Sequence, residues 1–239
     1  MKIGLISINM YSKKDDVHSK RKLKEFAYKR DAYKSVYHER EIRYEKFQSF
    51  IEQNYIKTKE CYDSNLLEVS DPGFDCYICV TDVIWKNEPG EGFDRDFYAA
   101  FSKKPEEERY ILLYYVVERT SDTIEMAVEY ARTHNIKIVE LTDSPFSERL
   151  DGYEGIDKVY RYDIGIEEWL GYIMHAECVF TNSFHGFCFS ILFEKKFFVG
   201  RRNGDKITNL LQMLGLSGLR VSSFSEIASM GKKRLIMKL

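Results

Sequence analysis

The residues best suited to chemistry in this chain are Thr181, Asn182, Ser183, His185 and Gly186, gathered within six positions. A β-branched and aromatic run, Cys178 to Phe180, stops at the first of them. An apolar segment from Phe187 to Phe193 follows the last. That order reads as strand, polar turn and helix, and it puts an imidazole beside a helix N-terminus at the carboxyl edge of a sheet. Open α/β folds bind ligands at that edge, where unpaired N–H groups and the helix dipole attract phosphate or carboxylate. A histidine there titrates near neutrality and can give or take a proton. The alternative is a capped helix whose histidine only fills space, and spacing alone does not separate the two.

The identity of the residues adds to their spacing. Thr181 to Gly186, with Phe189 to Phe197 behind it, closely resembles the signature of the polysaccharide pyruvyl transferase family. Phe74 to Trp85 (Phe-Asp-Cys-Tyr-Ile-Cys-Val-Thr-Asp-Val-Ile-Trp) is similar to a second motif of that family. Lys206 to Leu211, then Leu214, Gly215, Leu216 and Arg220, is similar to a third. The resemblance covers most of residues 70 to 101 and 108 to 223, with the three motifs in the family's order.

The resemblance implies two Rossmann-like domains facing a cleft, in the GT-B arrangement. It also implies a transferase that moves the pyruvyl group of phosphoenolpyruvate onto a sugar as a ketal. The acceptor would be a sugar or lipid-linked oligosaccharide of a bacterial surface-glycan precursor, as in exopolysaccharide or capsule biosynthesis. Phosphoenolpyruvate would be the donor substrate, with no cofactor and no metal. His185 is the first choice for acid/base work or phosphate contact, and Asn182, Ser183 and the Gly186 amide would line the donor site. Some relatives carry Arg two residues before the histidine, where this chain has Ser183, so another cation must meet the donor's charge. Arg201, Arg202 and Lys206 are the candidates, on a loop and helix start after a strand. Asp82 and Trp85 would face the acceptor. The plainer alternatives are surface arginines for Arg201 and Arg202, a capping Asp82 and a core Trp85. A nucleotide-sugar glycosyltransferase of GT-B type, or a non-catalytic glycan-binding member, would use the same cleft.

Composition narrows the classes. At 44% apolar and 15% aromatic, 239 residues can bury one or two cores. A formal net charge of -2 lacks the basic footprint of a nucleic-acid binder. Four of the five cysteines (Cys76, Cys79, Cys178 and Cys188) lie in apolar runs, as buried reduced thiols of a cytoplasmic protein would. Cys76 and Cys79 have redox-motif spacing, but within a strand pattern they point to opposite faces. No apolar run approaches the roughly 20 residues of a membrane span, so at most peripheral membrane contact is expected. A homo-oligomer is compatible with the composition.

The elements that must position the site fall into two unequal parts. Between Leu5 and Asp71 there is no Gly or Pro, and apolar residues such as Tyr33, Val36, Tyr44, Phe47 and Ile51 recur at helical spacing. Lys13 to Lys46 holds 12 Lys or Arg against 7 Asp or Glu, read as a solvated face. The charged stretch Lys103 to Glu108 is the expected boundary. It divides a shortened N-terminal, acceptor-side domain (residues 1–105) from a C-terminal, donor-side domain (residues 106–239). In the second part, strands at Tyr110–Val117, Ile136–Leu141, Lys158–Arg161, Cys178–Phe180 and Phe197–Val199 alternate with helices. One helix runs from an Asp122/Glu125 capping pair to His134, another over Ile166–His175, a third behind His185 and a fourth over Asp205–Leu214. Such alternation predicts a parallel sheet covered on both sides. The short links at residues 10–13 and 101–109 mark either a shortened homologue or a sequence from which segments of the N-terminal domain are missing, and the second is the expectation. His175, late in its helix, reads as a cation compensating the helix dipole.

Overall fold

The computed structural model describes residues 33–54, 70, 73, 95–116, 121–142, 150–200 and 205–229. Asp82, Trp85, Arg201, Arg202 and the link at residues 10–13 lie outside the described residues, so the expectations placed on them do too.

Five strands form one parallel sheet: β1 (Tyr110–Tyr114), β2 (Lys137–Leu141), β3 (Lys158–Arg161), β4 (Cys178–Thr181) and β5 (Phe197–Val199). Their spatial order is β3-β2-β1-β4-β5. The strands contain near-continuous apolar runs because both faces of a parallel sheet are covered, and β1, β4 and β5 are buried almost throughout. Between them come α3 (Ser121–His134), α4 (Ile166–His175) and α5 (Phe184–Leu192). After β5 come α6 (Asp205–Met213) and α7 (Phe224–Ser229).

Alternate side chains divide the core into two layers. Ile111, Leu113, Ile138, Phe180 and Phe198 meet Ile124, Val128 and Ala131 of α3 and Ile227 of α7. Tyr110, Leu112, Val139, Val179 and Phe197 meet Leu170 and Ile173 of α4, Phe187 of α5, and Ile207 and Leu211 of α6. The predicted parallel α/β organisation is thus present as one doubly wound sheet. A second sheet is not among the described residues, and the GT-B pairing is not part of what they form.

Two helices of the N-terminal part are described, α1 (Tyr37–Asn54) and α2 (Arg95–Phe101). Both pack on α4. Lys46 of α1 pairs with Glu168 at 2.9 Å, and Lys103, just after α2, pairs with Glu167. The Tyr98 ring of α2 stands edge-on to Phe189, 5.0 Å between centroids. Residues 102–109 then run directly into β1, with the Ser102 N–H on the Ala99 carbonyl and the Lys103 N–H on the Glu167 carbonyl. Among the described residues no helix is long and apolar enough to cross a membrane.

Candidate functional site

Strand order reverses between β1 and β4, because β2 and β3 continue from one side of β1 while β4 and β5 lie on the other. In an open α/β sheet the carboxyl ends of two such strands leave a crevice. The polar turn lies on this reversal point. Thr181 pairs in register with Tyr114 at the last rung of β1 and β4. Asn182, fully buried, accepts the Val116 N–H through Oδ1 at 3.0 Å. It thereby ties the chain leaving β4 to the chain leaving β1.

Ser183 builds the helix start. Its φ of -81° and ψ of 132° are extended, and its Oγ accepts the Gly186 N–H at 3.3 Å, the arrangement expected of an N-cap serine. Its own N–H goes to Thr181 Oγ1 at 3.0 Å. Gly186 is required by contact: a Cβ there would lie 2.7 Å from Thr181 Oγ1 and 3.0 Å from Tyr114 Cδ1. The turn is therefore wedged between the last side chains of β1 and β4, and His185 is carried outward. The His185 side chain is exposed in the first turn of α5, with the Phe184 ring 6.1 Å from its own.

Behind the turn is an aromatic wall. Tyr114 stands edge-on to Trp169 at 5.6 Å, and Trp169 edge-on to Phe189 at 5.1 Å. Beneath the next strand end, the buried Glu140 carboxylate accepts the Tyr115 hydroxyl at 2.8 Å. Sequence reading passed over these residues. Trp169 and Tyr114 looked like ordinary core, and the only signal for Glu140 was a carboxylate in the inward register of an apolar strand.

The structure therefore brings together His185, Asn182, Ser183 and Gly186, with distinct parts for each. Among the described residues, His185 is the exposed titratable group of the turn. Asn182 and Ser183 are buried and engaged in building the turn. The Gly186 amide, expected to face a donor, gives its hydrogen to the serine cap instead. The Phe184 and His185 amides are the N–H groups that the open end of α5 presents, since a helix's first donors have no carbonyl a turn earlier to reach. Lys206 is exposed in the first turn of α6, which follows β5. Burial lowers the His175 pKa, and Lys104 and Lys195 add to the lowering, which disfavours the cation expected there. Among the described residues no three His, Cys, Asp or Glu converge to hold a metal ion.

A family model described as polysaccharide pyruvyl transferase matches residues 15–199. The chain belongs to that family. No protein of curated function and no solved structure gives a significant match. For a polysaccharide pyruvyl transferase the arrangement has a direct chemical reading. A helix N-terminus offers amides and a positive dipole end to an anion, and an exposed imidazole stands at the same turn. The match ends at Val199, so it takes in β1 to β5 with the turn and stops short of Lys206.

Proposed function

We propose that this chain transfers the pyruvyl group of phosphoenolpyruvate to a sugar of a surface-glycan precursor and leaves it as a cyclic ketal. The observation that carries the reading is the exposed His185 on the capped first turn of α5, at the strand-reversal point, in a chain of the pyruvyl transferase family. The donor brings a phosphate and a carboxylate, and the open amides of α5 suit either. Protonation of the donor's methylene carbon creates an oxocarbenium-like centre at the neighbouring carbon. A sugar hydroxyl adds there and loses its proton; phosphate leaves, and a second hydroxyl closes the ketal. Each step needs a group that exchanges protons near neutral pH, and His185 has the chemistry and the access. Further positive charge for the donor would come from Arg201, Arg202 or Lys206, since Ser183 replaces the arginine of some relatives and serves as the cap. Asp82 and Trp85 remain the acceptor-side candidates.

The test is calorimetric titration of the full chain with phosphoenolpyruvate and, separately, with UDP- and GDP-sugars. Saturable binding of phosphoenolpyruvate alone, with phosphate released when an acceptor saccharide is added, is the expected outcome. Binding of a nucleotide-sugar instead would move the chain to glycosyl transfer, and binding of neither would leave it a non-catalytic member.

A further inference from the structure

Away from the His185 turn, an open cavity of about 450 Å³ lies between α1 and the edge strand β3, lined by Glu39, Lys158, Tyr160, Arg161, Tyr162 and Asp163. Among the described lining residues two basic groups face two acidic ones, but they are not equally committed. The Lys158 ammonium is turned to main-chain carbonyls, donating to those of Leu150 and Tyr153, the latter at 3.1 Å. The Arg161 guanidinium donates to Glu107 Oε1 at 2.9 Å and to the Tyr172 hydroxyl at 3.0 Å. Glu39 and Asp163 are half-buried, and neither has a hydrogen-bond or ion-pair partner among the described residues. The cavity thus spends its donors on the protein and keeps its acceptors for a guest. Its wall also carries the half-buried Tyr160 ring, backed by the buried Tyr162, with the two rings tilted 30° to each other and their centroids 6.3 Å apart.

Unspent carboxylates beside aromatic rings suit a ligand rich in hydroxyl donors with apolar ring faces. An anionic ligand would meet two carboxylates with only the Lys158 charge left to offset them, because Arg161 is paired with Glu107. From this geometry we infer that the β3 cavity is a saccharide subsite, taking an uncharged sugar residue through hydroxyl donation to Asp163 and Glu39 and packing on the tyrosine wall. It rests on the proposed function in one respect: the sugar would be a distal unit of the acceptor whose reacting unit lies at His185. Placement supports that link. Tyr162 and Asp163 follow β3 at the same carboxyl edge, and β3 is three strand spacings from β4, about 14 Å. A saccharide of a few rings spans that distance.

The test uses the full chain and named probes: cellotetraose, galactotetraose and chitotetraose as uncharged oligosaccharides, and tetragalacturonate as the anionic one. Saturable binding of at least one uncharged tetramer is expected, weakened about tenfold or more in Asp163→Asn and Glu39→Gln, which keep side-chain size. Tetragalacturonate should bind less well than galactotetraose, and phosphoenolpyruvate affinity should be the same in both variants as in the parent. The inference is overturned if none of the uncharged tetramers binds, if both variants bind them as the parent does, or if the anionic tetramer binds better. Failure of the proposed function looks different. Saccharide binding that depends on Asp163, without any binding of phosphoenolpyruvate, would keep the subsite and remove the pyruvyl transfer.

Discussion

Gly186 and His185 are neighbours with opposite roles, and the contrast between them can be measured. His185 is exposed, so His185→Ala should leave stability within about 0.5 kcal/mol of the parent. Acceptor-dependent phosphate release from phosphoenolpyruvate should fall by about 10² to 10⁴ if the imidazole moves protons. A fully active variant would leave His185 no chemical part. Gly186→Ala forces a methyl group against Thr181 Oγ1 and the Tyr114 ring. Overpacking of this kind costs about 1 to 3 kcal/mol, and it displaces the turn, so both the melting temperature and turnover should drop. A variant that melts and turns over like the parent would show that the wedge does not set the turn. The sequence displayed the histidine, the serine and the glycine together. It could not show that Asn182 is spent on Val116, because that bond joins positions 66 residues apart and leaves no local pattern.

At the scale of elements, the strands were readable and their ties were not. Each strand was expected within three residues of its observed ends, since burial on both faces leaves an apolar run that polar turns delimit. The α3 start was read less well. Asp122 and Glu125 were expected to cap each other's turn, whereas Asp122 Oδ1 accepts the adjacent Thr123 N–H at 2.9 Å. The charged stretch before β1 was read as a domain boundary, and within it the Glu107 side chain is only 9% exposed. Burial alone would raise the Glu107 pKa. Hydrogen bonds from the Tyr172 hydroxyl at 2.8 Å and from Arg161, with the charge of Arg161, outweigh burial and lower it. A carboxylate whose folded pKa is depressed contributes stability that is fully present above its unfolded pKa, about 4.3. That stability is lost as pH falls through the folded value. Glu107→Gln should therefore lower the melting temperature at pH 7, where it strands the Arg161 charge, and the gap from the parent should close as pH falls from about 5 towards 3. A gap that stays constant over that range, measured by circular dichroism, would show that the pairing contributes nothing through ionisation.

For the whole molecule, the question is where the sheet's own unit begins. The charged composition of Lys103 to Glu108 suggested residue 106, and α2, on the far side of that stretch, packs on α4 and α5. The Lys103 carbonyl approaches α4 so closely that a Cβ on Gly171 would lie 1.7 Å from it, so the connection fits only over a glycine. Tyr98 and Phe101 pack against the core layer that includes Phe189 and Met174, and the Ser102 hydroxyl reaches Met174 Sδ at 3.3 Å. Composition could not reveal this, because Lys103 and Glu167 are both ordinary surface residue types and only their pairing in space marks the contact. Removing α2 uncovers aromatic surface on α4 and α5. Burial of one large apolar side chain contributes about 1.5 to 3 kcal/mol, so two partly buried rings with the lost polar contacts amount to a few kcal/mol. A change of that size lowers the melting temperature of a chain of this length by roughly ten degrees. Residues 106–239 should accordingly melt well below residues 95–239 and bind the dye ANS more strongly, with both read at the same protein concentration. Equal melting temperatures and equal dye binding would support a boundary at 106 and make α2 a passenger on the sheet unit.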